Sequence, residues 1–471
     1  MFSLDHNSGD PLVTQIVTNL TQCIVTRQLR PGSRAQSIRE FSRAHGVSTS
    51  TVVEAYDRLV AAGLLSARRG SGFYVEDAGR VDLLREPAQG RIPKAPVEND
   101  WMLGNIYEHQ DEAIYAGCGW LPENWHDLDA VSKGLRHLAL HPRGLIQYGP
   151  PKGYEPLRQQ LTRQLAELEI EAPPEQILIT QGASQGLDLI VRRLTQPGDV
   201  VFVDDPGYSN LFSTLRIRGL LLVGVPMTPT GPSVAALETL LIQHRPKLYI
   251  TNTQLQNPTG ASYSAAAAFQ VLRLAERHHF LVVEDNVAAG LVPGRVITLA
   301  GADQLKRVIY VGSFSKSIAP GLRLGFVAAE PGILDELLYH KLVSGLSTSV
   351  INERLAHFIL MEGHVRKQLE QLRNRLAKAQ EHTCRRLENA QFKLFFEPGA
   401  GMFVWARPMD ESVDTLALSQ LAAAQNVLLA PGNLFRPDQA SSPWLRFNVA
   451  YCDNDRFFTV IEKCLQDARV Q

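Results

Sequence analysis

The sequence predicts an α/β protein in which a small helical module precedes a larger domain built on a mostly parallel sheet. Two observations support this fold class. Beyond residue 113, short apolar runs such as 177–180, 248–251 and 308–311 recur between helical stretches. Apolar runs that do not alternate with polar residues indicate strands buried on both faces. Before residue 79, the pattern is helix, helix, turn, helix and hairpin.

The chain divides by composition into three parts. Residues 11–78 carry eight arginines against five acidic residues, a net charge of +3, whereas the whole chain has 47 basic and 48 acidic residues. Residues 79–100 contain three prolines and no sustained periodicity, which is typical of a linker. We therefore predict a basic module at 1–78, a linker at 79–112 and a large domain at 113–471, with a smaller α+β subdomain toward its C-terminus.

Composition excludes several classes of protein. A chain with a net charge of −1 is not a polybasic nucleic-acid coat or membrane adaptor. Its five cysteines lie scattered without CxxC spacing, which argues against a zinc ribbon or a disulfide framework. No run approaches the roughly 18 apolar residues of a membrane span. We expect a soluble cytoplasmic protein with no metal site and no membrane partner.

The N-terminal module has the pattern of a winged helix-turn-helix. Helical periodicity covers 11–28 and 37–45, and a further helix begins at 47, where Thr51 and Glu54 match a capping box. Two short runs on either side of residues 70–72 predict a hairpin. Any small domain with three helices and a hairpin fits this pattern, so the pattern alone leaves DNA binding open. The residues predicted to contact DNA are Arg39, Ser48, Thr49, Ser50, Thr51, Arg68, Arg69 and Ser71.

One series of residues runs through this module: PGSRAQSIREF, followed by GVSTSTVVEAYDRLVAAGLLSARRGSGFYV. It resembles the DNA-binding domain of the GntR family over nearly its whole length, and the resemblance implies that the module binds double-stranded DNA. Two positions depart from the family. Gln36 stands where proline is usual, and Thr49 stands where arginine is common. We expect DNA binding to survive both changes, but the operator sequence cannot be transferred from relatives.

Two motifs of the large domain fit more than one chemistry. The string GASQG at 182–186 follows a strand and opens a helix, so it matches the nucleophile elbow of a serine hydrolase. It matches equally well a helix N-terminus that holds a phosphate. The string SFSK at 313–316 matches S-x-x-K, but the partner motifs S-D-N and K-T-G are absent. Lys316 directly follows an apolar strand, at the sheet edge where α/β sites gather.

Pyridoxal phosphate chemistry accounts for these motifs together. It needs a lysine amine, an anion beside the ring nitrogen, a flat residue over the ring and a cradle for the phosphate. Lys316 supplies the amine. Asp285 ends a strand at a buried place, where a carboxylate is costly unless it is paired with a cation such as a pyridinium. Tyr208 in DPGY can stack on the ring, and Asn257 in NPTG can donate to the ring hydroxyl.

The strings NPTG, SFSK…PG-R and LRFN agree in order and spacing with the fold-type I aminotransferases, which residues 113–465 resemble. The resemblance implies pyridoxal 5′-phosphate as cofactor, joined to Lys316 as an imine, with Asp285 at its ring nitrogen. It also implies that Asn257 bonds the ring oxygen and Tyr208 stacks on the ring, while Arg446 holds an amino-acid carboxylate. The residues implied to hold the phosphate are Ala183, Ser184, Gln185, Ser313, Arg323 and, from the second subunit of a homodimer, Tyr148.

One departure from that family bears on catalysis. A tyrosine normally lies two or three residues after the aspartate and bonds the ring hydroxyl, but Val287 and Ala288 occupy those positions here. Loss of this donor weakens proton transfer and leaves capture of the cofactor intact. We therefore expect weak or vestigial turnover.

A GntR-type winged helix joined to an aminotransferase-like domain is the architecture of the MocR subfamily of bacterial regulators, which this sequence resembles over almost its full length. The resemblance implies a homodimeric DNA-binding regulator that binds pyridoxal phosphate and senses an amino compound or the cofactor itself. Two alternatives stay open. One is a competent aminotransferase that also binds DNA, and the other is a serine hydrolase using Ser184, which would leave Lys316, Asn257 and Arg446 without roles.

Overall fold

A computed structural model describes residues 4, 11–26, 28–68, 71–76, 112–294 and 296–468. It divides into two compact units, Met1–Asp100 and Trp101–Gln471. The linker predicted at 79–112 lies outside the described residues except for Glu112.

The first unit contains three helices and a two-stranded antiparallel sheet. These elements are α1 (Leu12–Val25), α2 (Ile38–His45), α3 (Thr49–Ala61), β1 (Leu65–Arg68) and β2 (Gly72–Val75). One apolar face of each helix packs into a common core around Ile16, Phe41 and Tyr56. The order and the hairpin agree with the pattern predicted from the sequence.

The capping of α3 differs from the sequence-based prediction. Ser48 is the N-cap, and its hydroxyl accepts a hydrogen bond from the Thr51 amide at 3.1 Å. The predicted capping box of Thr51 and Glu54 is therefore wrong, because the helix begins before Thr51 and places that residue in its first turn. A capping box does form at α2, where the Ser37 hydroxyl and the Glu40 carboxylate each accept a hydrogen bond from the other's backbone amide.

The second unit is built on an eight-stranded sheet with the order β3-β10-β9-β8-β7-β4-β5-β6. The strands are β3 (Ile177–Thr180), β4 (Val200–Asp205), β5 (Leu221–Thr228), β6 (Gly231–Pro232), β7 (Leu248–Thr251), β8 (Leu281–Asp285), β9 (Val308–Ser313) and β10 (Gly325–Ala328). Strands β5, β4, β7, β8 and β9 run parallel to one another, whereas β10 pairs antiparallel with both β3 and β9. Buried side chains form one core on each face of this sheet. The mostly parallel sheet predicted from the sequence is confirmed.

A smaller antiparallel sheet follows, with the order β11-β12-β14-β13, and packs on a separate core. Its strands are β11 (Phe392–Leu394), β12 (Phe403–Pro408), β13 (Ala430–Pro431) and β14 (Leu445–Asn448). The helices of the second unit are α4 (Leu128–Leu140), α5 (Glu155–Glu167), α6 (Gly182–Leu194), α7 (Ser209–Ile217), α8 (Val234–Gln243), α9 (Ala265–His278), α10 (Leu299–Asp303), α11 (Pro331–Gly345), α12 (Val350–Met361), α13 (His364–Asn389), α14 (Thr415–Ala423), α15 (Val449–Cys452) and α16 (Asp455–Ala468).

The parallel strands determine where polar side chains gather. Strands β4, β7, β8 and β9 end at the same edge of the sheet, since parallel neighbours share one direction. Asp204, Asn252, Asp285 and Ser313 lie at or just beyond those four strand ends. In open α/β sheets this edge is where ligands bind. Among the described residues, no helix is both long and apolar enough to cross a membrane, and no three His, Cys, Asp or Glu side chains are grouped as metal ligands.

Candidate functional site

Lys316 lies three residues beyond β9, at the carboxyl edge of the large sheet. Its Nζ donates a hydrogen bond to the carbonyl oxygen of Gly119, which belongs to a segment nearly 200 residues earlier in the chain. The pKa of the Lys316 amine is lowered to about 8, chiefly by burial and also by the cations Arg446 and Arg323, against an opposing effect of Cys118. A larger share of this amine is therefore uncharged near neutral pH, which is the form that attacks an aldehyde.

Asp285 is the last residue of β8 and is 5% exposed. Its Oδ1 is buried and has no hydrogen-bond partner among the described residues. The pKa of this carboxyl is raised to about 7, chiefly by burial and also by the nearby Asp204, while a hydrogen bond from Asn252 opposes the shift. An unpartnered, buried carboxylate oxygen is suited to a cation that the protein itself does not supply.

At the N-terminus of α6, Gly182 and the neighbouring Gly325 carry no side chains, and the space that a Cβ would fill there is called the recess at Gly182. Gly182 has φ +77°, and a Cβ built there would lie 2.9 Å from Arg323 Nη2, so the Arg323 guanidinium lies directly against the helix N-terminus. A Cβ on Gly325 would lie 2.7 Å from the Ala183 amide nitrogen. The backbone N–H groups of a helix N-terminus and an adjacent guanidinium together favour a phosphate.

The other residues predicted at the phosphate lie beside this recess. Ser184 and Gln185 follow Ala183 in the first turn of α6, and Gln185 Oε1 accepts a hydrogen bond from the Gln181 amide at 2.7 Å. The Ser313 hydroxyl accepts from the Ser315 amide at 3.1 Å. Within the described part of the chain, no hydrogen bond joins Ser184 to a histidine, so the structure offers no support for a Ser–His pair of the hydrolase type.

Arg446, in the middle of β14, lies between two aromatic rings. Its guanidinium carbon is 4.7 Å from the ring centroids of both Phe403 and Phe435. Nη1 donates to Asn257 Oδ1 at 2.7 Å, and Nε donates to the Gly117 carbonyl at 3.2 Å. The residue predicted to hold a carboxylate is thus bonded directly to the residue predicted to contact the cofactor ring oxygen.

The two predicted tyrosines have different surroundings. Tyr208 is partly buried at the N-cap position of α7, directly after the strand that ends at Asp205. Tyr148 lies between α4 and α5 and is 86% exposed. Arg446 is close enough to Lys316 for its charge to act on the amine, and it bonds Asn257, whereas Tyr148 stands at the surface.

Sequence reasoning missed several residues of this site. Gly117 and Gly119 supply the carbonyls that accept hydrogen bonds from Arg446 and Lys316. Asn252 donates from Nδ2 to the Asp285 carbonyl at 2.7 Å, and Asn448 Nδ2 donates to the Trp120 carbonyl at 2.6 Å. In the sequence, the signal for this segment is the pair of glycines on either side of Cys118. The structure explains why one of them is glycine, because a Cβ on Gly117 would overlap the backbone at Leu429 and Ala430.

In the first unit, the residues predicted to contact DNA lie on two exposed features. Ser48, Thr49 and Ser50 are exposed at the start of α3, with Thr51 partly buried behind them, and Arg39 is exposed on α2. On the hairpin, the Arg68 guanidinium lies 4.4 Å from the Tyr74 ring centroid. The Tyr74 hydroxyl is in turn 2.7 Å from the Ser71 hydroxyl. Arg69 lies outside the described residues.

Two family models match this chain. Residues 122–463 match the aminotransferase class I and II family, and residues 12–75 match the bacterial regulatory proteins of the gntR family. The chain belongs to both families and has the MocR-type architecture.

Relatives of this MocR-type chain include regulators that match nearly its full length. The HTH-type transcriptional regulator YjiR of Escherichia coli is 30% identical, over 92% of this chain and 94% of its own. MocR of Rhizobium meliloti is 28% identical, over 92% of this chain and 88% of its own. The structure of LysN, the α-aminoadipate aminotransferase of Thermus thermophilus, covers 81% of this chain and 97% of its own, with 26% identity and a TM-score of 0.72.

The large domain of this MocR-type chain takes pyridoxal 5′-phosphate as its cofactor. LysN was solved with N-(5′-phosphopyridoxyl)-L-leucine, a compound that joins this cofactor to an amino acid. The residues present fit the group, because the unpartnered Asp285 oxygen suits a pyridinium and the recess at Gly182 suits a phosphate. When bound, the cofactor supplies an aldehyde that reacts with primary amines and a ring that withdraws electrons.

The buried Asp285 carboxyl makes stability depend on pH in the absence of cofactor. Its folded pKa of about 7 lies above the ordinary value of 3.8, so the stability due to its neutral form is complete below pH 4 and is lost as the pH rises through 7. We expect the cofactor-free large domain to lose, between pH 4 and 8, on the order of 4 kcal/mol relative to the Asp285→Asn variant. Denaturant unfolding across this pH range measures the difference.

Proposed function

We propose that this chain is a transcription regulator of the cytoplasm that binds operator DNA through its first unit and senses a small amino compound, or pyridoxal phosphate itself, in its second. The observation that carries the proposal is the presence, on one chain with a GntR-family module, of a lysine, a buried carboxylate and a phosphate recess at one sheet edge. Proteins that are named as transcriptional or catabolic regulators match 92% of this chain.

Each predicted site residue has a defined part in this proposal. Lys316 bonds the cofactor covalently, and Asp285 holds the proton on its ring nitrogen. Asn257 donates to the ring oxygen, because its Oδ1 already accepts from Arg446 and its amide nitrogen is the group left to donate. Tyr208 covers one face of the ring. The phosphate is bound by the amides and side chains of Ala183, Ser184 and Gln185, with Ser313 and Arg323.

The contacts of Arg446 favour a ligand with a carboxylate. A guanidinium binds a carboxylate through two parallel N–H groups, and the bonds of Arg446 to Asn257 and Gly117 hold its guanidinium in a fixed orientation for such a ligand. Packing between Phe403 and Phe435 shields the guanidinium from water and strengthens its interaction with an anion. An amino compound that bears a carboxylate would then contact Lys316, Arg446 and, through Arg446, Asn257.

The site favours sensing over fast turnover. Val287 and Ala288 carry no hydroxyl, so the ring oxygen lacks the donor that an aminotransferase tyrosine gives it. A competent aminotransferase is the second candidate, and the 2-aminoadipate transaminase of Thermus thermophilus, 30% identical over 72% of this chain, favours it. The absence of a hydroxyl at residues 287 and 288 favours the regulator over the competent aminotransferase.

Exposed apolar side chains support a homodimer. Leu140 at the end of α4 is 78% exposed, and Ile146 and Tyr148 in the following loop are 96% and 86% exposed. Tyr339 and Val343 on α11 are 67% and 74% exposed. Large apolar side chains clustered along the chain in this way are typical of an interface. In a homodimer Tyr148 would reach the phosphate of the second subunit, and two winged helices would contact two half-sites.

The effect of a bound amino acid on DNA affinity tests directly whether this chain is a ligand-sensing regulator. A DNA duplex selected in vitro for binding to the full chain with pyridoxal phosphate is titrated with the protein in the presence of single amino acids. We expect at least one amino acid to change the DNA dissociation constant by 5-fold to about 150-fold, the usual range of allosteric coupling. The Lys316→Ala variant should bind the same duplex without responding, because it cannot hold the cofactor covalently.

Two results would contradict the proposal that this chain is a ligand-sensing regulator. An equal response in Lys316→Ala would place the ligand elsewhere. Steady turnover of an amino acid with a keto acid at rates on the order of 1 per second or more, without any effect on DNA binding, would favour the aminotransferase.

Arg39 offers a test of the DNA-binding face. If Arg39 contacts a phosphate, Arg39→Ala weakens binding to all sequences and lowers the slope of log affinity against log salt by about 1. Arg58→Ala is the matched control, because Arg58 is exposed on α3 and already paired with Glu54 at 2.7 Å. Fluorescence anisotropy at several salt concentrations measures both slopes. An unchanged slope in Arg39→Ala would remove Arg39 from the interface.

A further inference from the structure

A second buried carboxyl lies behind the cofactor site. Asp204, the penultimate residue of β4, is 4% exposed. Its Oδ1 accepts a hydrogen bond from the Tyr249 hydroxyl at 3.0 Å, and its Oδ2 accepts from the Asn252 amide at 3.0 Å and from Gln256 Nε2 at 3.4 Å. Asp204 is thus the acceptor of hydrogen bonds from three different residues.

The partners of Asp204 hold the segments that face the cofactor. The Asn252 side chain donates to the Asp285 carbonyl at 2.7 Å and accepts from the Asn257 amide at 3.4 Å. Gln256 Nε2 also donates to the Pro206 carbonyl at 2.7 Å, two residues before Tyr208. Asn252 thus links Asp204 to the backbone of Asp285 and Asn257. Gln256 links Asp204 to the backbone near Tyr208, which completes the set of residues proposed to contact the ring.

A group of hydroxyls supports Asp204 from the core. The Tyr249 and Tyr263 hydroxyls lie 3.2 Å apart, and the Tyr263 hydroxyl is 2.7 Å from that of Thr251. Burial raises the pKa of both tyrosines well above the usual value, so both stay protonated and Tyr249 can donate to Asp204. A buried polar network that is fully bonded in this way is rigid.

Asp204 also acts through its charge. Burial raises the pKa of its carboxyl to about 6, so the group is mostly ionised above neutral pH. The titratable groups that face it are Tyr249, Tyr263 and Asp285. The negative charge of Asp204 raises the pKa of Asp285, and it favours a proton on any nitrogen bound beside Asp285 for the same reason.

We propose that Asp204 is a positioning residue for the cofactor, which holds Asn252 and Gln256 so that Asp285, Asn257 and Tyr208 meet the ring together, and which adds negative charge behind the ring nitrogen. This inference rests on the cofactor site described above and does not depend on DNA binding or on the identity of the sensed ligand.

Three variants of the full chain test the proposal. Asp204→Ala removes the hydrogen bonds and the charge, and Asp204→Asn keeps acceptor capacity for the Asn252 amide but removes the charge. Glu284→Gln is the matched control, because Glu284 is fully buried on β8, two strands from β4 in the same sheet, and bonds only the Thr253 hydroxyl and the amides of Leu299 and Ala300 among the described residues. The readouts are the dissociation constant for pyridoxal phosphate and the pH midpoint of its bound absorption.

We expect Asp204→Ala to raise the dissociation constant by about tenfold or more. Asp204→Asn should raise it less and move the absorption midpoint to lower pH, since less negative charge makes a proton on the cofactor easier to remove. Glu284→Gln should leave both within about twofold of the wild type. The proposal would be overturned if both Asp204 variants kept the affinity and the absorption midpoint of the wild type. It would also be overturned if Glu284→Gln lost as much affinity as Asp204→Ala, because that result would indicate a general loss of stability. Failure of the wild type itself to bind pyridoxal phosphate would instead overturn the cofactor site.

Discussion

A buried carboxylate with an unbonded oxygen is the constraint on which the large domain depends. Asp285 lies at the end of a central strand, where its Oδ1 has no hydrogen-bond partner in the described part of the chain, and a charge in this position is costly unless a cation neutralises it. In the proposed site the cation comes from the cofactor ring, so cofactor binding and stability of the strand edge would be linked. Arg323 lies against the recess at Gly182 and its charge acts on Lys316, so the proposed phosphate site and the amine share this neighbour.

The same arrangement explains how a site built for amino-group chemistry can serve a regulator. Arg446 joins the carboxylate position to Asn257, so a ligand bound there affects a residue proposed to contact the ring. In the proposed regulator, the absence of a hydroxyl at Val287 and Ala288 would reduce proton transfer without removing any residue proposed to hold the cofactor. Binding energy can then be used to favour one arrangement of the chain over another, which is what control of DNA binding requires.

Local patterns made much of this structure predictable. Strands β3 and β7 have the predicted bounds, because unbroken apolar runs of four residues ended at turn residues. Lys316 and Asp285 were identifiable because each follows such a run. Strand β10 (Gly325–Ala328) was missed because it begins at a glycine, which is depleted in strands, and because its antiparallel pairing depends on β3 and β9. Contacts such as Arg446 with Gly117 join residues more than 300 positions apart, and no local pattern encodes them.

The protonation state of the bound cofactor tests the central role of Asp285 most directly. Nitrogen-15 resonance of ring-labelled pyridoxal phosphate is measured on the full chain, at a pH where the free cofactor has lost its ring proton. The account predicts a protonated ring nitrogen in the wild type and an unprotonated one in Asp285→Asn. An unprotonated nitrogen in the wild type, with the cofactor bound at Lys316, would contradict it.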